Sequence, residues 1–248
     1  MGIDPMGERN PVCTYLDWDS KFFEHRIARL NRPRLDDAVV AETLAWCGTN
    51  RIECLYFLAD SDHPQTPRLA ESNDFLLTDV RMTFERNLAQ QERAHISPDE
   101  VRLAREDDLN VLRAIARTGH RDTRFYFDEH FDQTKCELLY ETWIENSFRG
   151  FAQAVLVGLV DRAPAAYLTC HFKDQESRIG LVGVDTSHQG KGLGTKLVQH
   201  FLSWSREQGA SRATVVTQGR NIPAQRLYQR NGFATASLQL WYHRWFGS

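Results

Sequence analysis

An apolar run from Arg178 to Val184 leads into Gln189-Gly190-Lys191-Gly192-Leu193-Gly194, after which Leu193, Leu197, Val198, Phe201 and Leu202 recur at helical spacing. This strand, glycine turn and one-sided helix constrain the fold more than any other segment. The helix buries its apolar stripe only by packing back on the strand's sheet, which leaves the turn at the junction. Gly209 stands where a helix-terminating glycine belongs. Glycines at 190, 192 and 194 let backbone approach an anion, because glycine lacks a Cβ and the first N–H groups of a helix have no intrahelical acceptor. Pyrophosphate suits such a turn. The spacing matches neither G-x-G-x-x-G nor G-x-x-x-x-G-K-[ST], so the turn alone leaves nucleotide, phosphate and coenzyme ligands open.

The surrounding pattern is mixed α/β over about residues 99–248. Val101-Arg102-Leu103-Ala104 reads as a short strand, and Asp107 or Asp108 as the cap of a helix carrying Leu109, Leu112, Ile115 and Ala116. A second helix places Cys136, Leu139, Tyr140, Trp143 and Ile144 on one face and stops at Gly150. Phe151 to Val160 and Ala165 to Phe172 form a hairpin across Asp161-Arg162-Ala163-Pro164. Arg212 to Thr217 is a β-branched strand, Pro223 to Arg230 a helix, and Phe233 to Trp245 an aromatic final strand.

Residues 12–90 hold a smaller α/β part: a helix from Leu35 to Trp46, strands from Ile52 to Ala59 and Phe75 to Arg86, and a short helix near Arg68 to Ser72. The polar stretch Leu88 to Pro98 is the expected linker, and residues 1–11 a tag or loose terminus outside the fold. At an offset of 158, Arg68, Leu69, Asn73, Phe75 and Arg86 fall on Arg226, Leu227, Asn231, Phe233 and Arg244. Either two helix–turn–strand units coincide, or the chain contains an internal repeat whose first copy has lost its chemistry, with Ala70 opposite Tyr228 and no glycine turn.

With a formal net charge of −3 and a pI near 6.3, the chain is a poor polyanion binder, so nucleic acid is not an expected partner. No run approaches the roughly 20 apolar residues that span a bilayer; we expect no membrane partner and a cytoplasmic location. Cys13, Cys47, Cys54, Cys136 and Cys170 are scattered and odd in number, which signals neither a disulfide framework nor structural zinc. The histidines lack ligand spacing, His120 and His130 reading as surface residues, and we expect no metal.

Asn221 to Phe233 reads N-x-x-A-x-x-L-Y-x-x-x-G-F, one strand–helix unit beyond the glycine turn. Together the two segments resemble the acetyl-CoA-binding motifs of the GCN5-related N-acetyltransferase (GNAT) superfamily over about residues 100–245. Trp18 to Phe23, Arg124-Phe125-Tyr126, Trp143 to Gly150 and Val216-Thr217-Gln218 are similar to the amino-sugar members of the dTDP-fucosamine acetyltransferase type. The resemblance implies a GNAT fold, a mixed twisted sheet flanked by helices, preceded by a degenerate GNAT-like domain. It implies that Leu181, Val182 and Val184 present a strand edge to the pantetheine arm of acetyl-CoA and that Gln189, Gly190, Lys191, Gly192, Leu193 and Gly194 hold the pyrophosphate. By the same resemblance Asn221 bonds the pantetheine region, Ala224 leaves room for it, and Tyr228 faces the thioester sulfur. A homodimer is a family-level expectation. In one departure, Asp185-Thr186-Ser187-His188 stands where a proline often precedes the turn.

Acyl transfer to an amine needs a deprotonated nucleophile, stabilisation of an oxyanion and a proton for the leaving thiolate. A tyrosine with pKa about 10 can protonate a thiolate whose acid has pKa about 8.5, which suits Tyr228, and the Val184 N–H at a strand end is a candidate oxyanion donor. Asp128, Glu129, His130, Glu145 and His171 lie in segments that could border the acceptor, and none stands out as the base. Cys170 and His171, adjacent in a strand, point to opposite faces and cannot pair, so direct transfer is expected. Phe23, Arg124, Phe125 and Tyr126 suit either stacking and pairing with a nucleotide-linked amino sugar, such as dTDP-4-amino-4,6-dideoxygalactose, or a plain core role. Acetylation of another small amine or a protein N-terminus, and a non-catalytic acyl-CoA-binding module, are the alternatives.

Overall fold

The computed structural model describes residues 11–88 and 100–247. The expected tag at 1–11 and linker at 88–98 lie outside these residues, apart from Pro11 and Leu88. In chain order the elements are β1 (Cys13–Tyr15), α1 (Asp17–Phe23), β2 (Ile27–Leu30), α2 (Asp37–Thr49), β3 (Cys54–Asp60), α3 (Gln65–Ser72), β4 (Leu76–Asn87), β5 (Val101–Leu103), α4 (Leu109–Gly119) and α5 (Gln133–Asn146). They continue with β6 (Ala154–Val160), β7 (Ala163–Lys173), β8 (Glu176–Val184), α6 (Leu193–Glu207), β9 (Arg212–Gln218), α7 (Ile222–Arg230) and β10 (Ala234–Trp245). Among the described residues, no helix is long and apolar enough to cross a membrane.

Local chemistry accounts for most boundaries. Asp36 caps α2 by accepting from Val39 N at 2.7 Å, so that helix begins after Leu35. Gly150, at φ 112°, ends the turn that follows α5. The hairpins β6–β7 and β7–β8 close on Asp161-Arg162 and Asp174-Gln175, all four at positive φ, the backbone that two-residue hairpin turns require. β1 and β2, at three and four residues, are too short to show a period in the sequence.

The described chain forms two compact units. One takes the residues up to Arg81, Phe127–Asp132 and the chain from Leu238; the other takes Met82–Tyr126 and Gln133–Ser237. In the first unit the strand order is β1-β2-β3-β10-β4, and in the second β4-β9-β8-β7-β6-β5. The first unit's core gathers Leu55, Phe57, Ala59, Ala70, Phe75 and Tyr242. In the second, α6 buries Leu197, Val198 and Phe201 against Leu156, Ala166 and Leu168, while α4 lies on β7 and β8 and buries Leu112, Ile115 and Ala116. Each buried Leu, Ile, Val or Phe among these contributes about 1.5–3 kcal/mol relative to exposure.

The unit boundaries do not follow a single cut in the sequence, because two strands are exchanged. At the offset of 158, β3 overlies β9 and β4 overlies β10 from end to end. Yet β10, which follows α7, pairs antiparallel with β3, and β4, which follows α3, lies beside β9. The end of each exchanged strand is tied in the same way: Arg86 donates to the Asn231 carbonyl and Arg244 to the Asn73 carbonyl. Asn73 and Asn231 in turn cap their helices through Nδ2 to Leu69 O at 2.9 Å and Leu227 O at 2.8 Å. Arg81 Nη1 donates at 3.1 Å to Gln239 Oε1, its own counterpart at that offset.

A chain ending at Ser237 removes β10 from between β3 and β4. We expect the first unit to lose cooperative melting and become open to limited proteolysis; mass spectrometry of the fragments checks whether new cuts fall between residues 11 and 81.

Candidate functional site

β8 and β9 run parallel, but they pair only where Glu176–Ile179 meets Arg212–Val215. Beyond that point Gly180–Val184 and Val216–Gln218 part. A bulge in β8 begins the parting: the β7–β8 register shifts between Leu168 and Cys170, and Leu181 N donates to the buried Thr169 Oγ1 at 2.8 Å. Bulges bend a strand and raise its twist. Past the bulge, Asp185 N donates to Ala165 O at 2.8 Å. Antiparallel alternation then turns the N–H and C=O of Val184 and Val182 away from β7, toward the side that β9 has vacated. The Val184 carbonyl is met there by Gln189 Nε2 at 3.3 Å, while the N–H groups of Val182 and Val184 face the cleft.

Two glycines in β8 make room on the other side of the sheet. A Cβ at Gly183 would lie 2.5 Å from Tyr167 Cε1, and one at Gly180 would lie 2.5 Å from His171 Nε2 and 2.6 Å from Thr169 Oγ1. Tyr167 is fully buried. Its hydroxyl lies 2.7 Å from His120 Nε2, and the His120 ring stacks on Tyr140 at 4.5 Å. His120 is therefore a partly buried histidine held between two tyrosines. Burial lowers its pKa from 6.5 to about 4, because an imidazolium there would lose water without gaining an anion.

At the mouth of the cleft Asp185 caps a short 3-10 turn over Thr186–His188, which supplies the stiffness that the missing proline would have given. Gly190 and Gly192 sit at φ 76° and 85° with nothing near their absent Cβ atoms, so they are required for backbone conformation. Lys191 is exposed between them. Gly194 differs: it lies inside α6, where a Cβ would meet Leu227 at 3.1 Å, so its smallness serves the packing of α6 on α7. Leu193 is a core residue of the same helix, and the first N–H groups of α6 open onto the turn.

Across the cleft, Asn221 caps α7, its Oδ1 accepting from Ala224 N at 3.0 Å, which leaves the amide N–H groups for another acceptor. Ala224 packs at the edge of the core. Tyr228 is 5% exposed and has Phe84 and Phe233 rings each 6.0 Å away. Its hydroxyl has no hydrogen-bond partner among the described residues. Burial raises the phenol's pKa, so it is protonated at neutral pH.

Other residues singled out in the sequence are occupied elsewhere. Phe125 is buried, edge-on to Trp143, and carries the Arg124 guanidinium over its face at 4.2 Å. The Tyr126 hydroxyl is buried and pushed up to about 12, chiefly by burial. Phe23 belongs to the first unit, where it packs on Phe131. Asp128, also in that unit, accepts from His130 Nδ1 at 2.8 Å, His243 Nδ1 at 2.6 Å and Trp245 Nε1 at 2.9 Å. Burial alone would raise its pKa, but these donors hold it well below the carboxylate range. Glu145 faces Arg113 at 3.6 Å. Cys170 is in the core, while the His171 ring lies beside Gly180 on the opposite face. Among the described residues, no group of three His, Cys, Asp or Glu is placed to hold a metal ion.

Residues 115–233 match the acetyltransferase (GNAT) family. A solved GCN5-related N-acetyltransferase from Sphaerobacter thermophilus superposes with a TM-score of 0.67 over 98% of this chain and 79% of that one, at 14% identity. The chain has a GNAT fold. Two curated relatives carry the likeness in sequence. The spore coat polysaccharide biosynthesis protein SpsD of Bacillus subtilis is 26% identical over 56% of this chain and 48% of its own length. A mycothiol acetyltransferase of Saccharomonospora viridis is 26% identical over 73% of this chain and 61% of its own. The chain thus spans about half to three fifths of the curated relatives' length. In the GNAT fold of this chain, the first unit's counterpart of the cleft is shut: Asp60 N donates to Pro33 O at 2.8 Å and Arg34 pairs with Asp60 at 3.1 Å. Fully buried Ala70 takes the position of Tyr228.

Gly183→Ala would drive a methyl into an immovable ring, and we expect a loss of about 1–3 kcal/mol in urea unfolding, partly restored by the added Tyr167→Leu. A pH effect follows from His120. Its folded pKa lies below the unfolded value, so its contribution is complete above pH 6.5 and is lost as the pH falls toward about 4. Melting temperature measured against pH should show this slope, and His120→Gln should flatten it.

Proposed function

We propose that this chain is an acetyl-CoA-dependent N-acetyltransferase that passes acetyl directly to the amine of a small acceptor, with Tyr228 as the general acid. The observation that carries the reading is the Tyr228 phenol: a side chain packed among Phe84 and Phe233, protonated at neutral pH and with no hydrogen-bond partner among the described residues, on a helix beside a parted pair of strands. Its hydroxyl is not sealed in the core and is open to a ligand. The rest of the cleft suits acetyl-CoA. The Gln189–Gly194 turn and the start of α6 offer unpaired N–H groups for a pyrophosphate, and the Val182 and Val184 edge offers a strand for the amides of the pantetheine arm. Acetyl-CoA supplies the activated acyl group. Of this chain's own groups, the Val184 or Val182 N–H would hold the developing oxyanion, the Asn221 amide would steady the arm, and Tyr228 would give its proton to the departing thiolate.

For the acceptor we propose an amino sugar linked to a nucleotide, of the dTDP-4-amino-4,6-dideoxygalactose kind. The likeness to a polysaccharide biosynthesis protein supports it. A second reading, another small-molecule amine, draws on the mycothiol acetyltransferase, whose match covers more of this chain.

A thiol-release assay with acetyl-CoA against nucleotide amino sugars, free amino sugars, polyamines and peptides tests both readings; turnover of peptides alone would overturn the acceptor. Tyr228→Phe should lower kcat by about a hundredfold or more while acetyl-CoA still raises the melting temperature by mass action. Unchanged kcat would remove Tyr228 as the acid, and no thermal shift in the parent protein would remove the cosubstrate.

A further inference from the structure

In the β7–β8 ladder Leu168 stands opposite Val182 and Cys170 opposite Ile179. One residue of β7, Thr169, therefore faces two of β8, Gly180 and Leu181, the count that defines a bulge. The surplus residue of a bulge falls out of the backbone ladder, and here a side chain takes over: Leu181 N donates to Thr169 Oγ1 at 2.8 Å. Thr169 is fully buried, and its hydroxyl has space because Gly180 carries no side chain. A Cβ there would lie 2.6 Å from Thr169 Oγ1 and 2.5 Å from His171 Nε2. We propose that Thr169 is a positioning residue for acetyl-CoA, its hydroxyl fixing the bulge at the place in β8 that frees the Val182 and Val184 N–H groups for the cosubstrate. The inference rests on the reading of the β8–β9 cleft as the acetyl-CoA site.

The chemistry at position 169 is selective. Meeting a backbone N–H of the facing strand takes an acceptor carried directly on Cβ, which serine and threonine supply, threonine with the branching that suits a strand. Valine has the same shape and no acceptor. The competing arrangement is a ladder in which β8 slips by one residue to absorb the bulge. Such a slip turns every later side chain to the other face, so Val182 or Val184 would point at Tyr167, whose Cε1 already lies 2.5 Å from the Cβ position of Gly183. Tyr167 blocks the slip, and Thr169 anchors the strand in the register that remains. Without the hydroxyl β8 keeps its faces but loses that anchor, and the Val182 and Val184 N–H groups no longer sit at fixed positions. Being fully buried, Thr169 acts through Leu181 and not by contact with the cosubstrate.

Thr169→Val and Thr169→Ser separate the hydroxyl from the volume. Calorimetry with CoA on the full chain reads affinity, and amide exchange at Gly180 and Leu181 reads the anchor with no ligand present. We expect Thr169→Val to fold, to bind CoA about tenfold or more weakly, the scale of a buried N–H left without its acceptor, and to exchange those amides faster by a similar factor. Thr169→Ser keeps the acceptor and should stay within about threefold of the parent in both readouts. A Thr169→Val protein within about twofold of the parent in either, or a loss in Thr169→Ser as large as in Thr169→Val, overturns the proposal. If Thr169→Val does not fold, Gly180→Ala takes its place, since a methyl there crowds Thr169 Oγ1; the same loss is expected, and its absence overturns the proposal. A parent protein that binds no CoA would instead bring down the cleft reading, while its amide exchange still reads the Thr169 anchor, so the two failures are distinct.

Discussion

The candidate site depends on one constraint: β8 and β9 stop hydrogen-bonding after Ile179 and Val215. Backbone N–H groups left without partners carry a free-energy penalty, and native structures rarely leave them so. Here the N–H groups freed from the ladder are those of the partly exposed Val182 and Val184, where water or a ligand can meet them. The bulge at Gly180 and Leu181 creates the gap, and the Thr169 hydroxyl holds it by taking the Leu181 N–H out of the ladder. Tyr167 prevents collapse from the other side, because its buried ring fills the space that a side chain at Gly183 would need. Sheet, turn and helix thus converge on one opening that a ligand with amides, a pyrophosphate and a reactive end would fill.

The exchange of β4 and β10 explains why a chain with one candidate cleft carries two similar halves. Each half ends in a strand that completes the sheet of the other unit, so neither unit is complete from contiguous sequence. The first unit retains the parallel pair β2–β3 and the helix α3, but Pro33, Arg34 and Asp60 bridge the place where strands would part. Within this unit β10 pairs with β3, and Asp128 anchors the 127–132 segment to His243 and Trp245.

Much of this was legible in the sequence because it is local. The glycine turn and α6 follow from φ preference and helical periodicity, the caps at Asp36 and Asn221 from side chains that bond their own backbone, and the repeat from a constant offset. The opening strands of the first unit were not legible, being too short to show a period. Nor was the role of Gly194, which reads as part of an anion turn but is small because Leu227 packs on it. Nor were the contacts of His120, which the rings of Tyr140 and Tyr167 hold from 20 and 47 positions later.

The sequence by itself determined the turn from Gln189 to Gly194 and the helix bearing Asn221, Ala224 and Tyr228, since each depends on residues within a few positions of one another, and the GNAT fold entered only as what the resemblance of those two segments implied. Only the tertiary structure decided where β8 and β9 part and which aromatic rings are buried. Those outcomes depend on register shifts and on side chains far apart in the chain, and no local spacing encodes whether a hydrogen-bonding group finds its partner after folding.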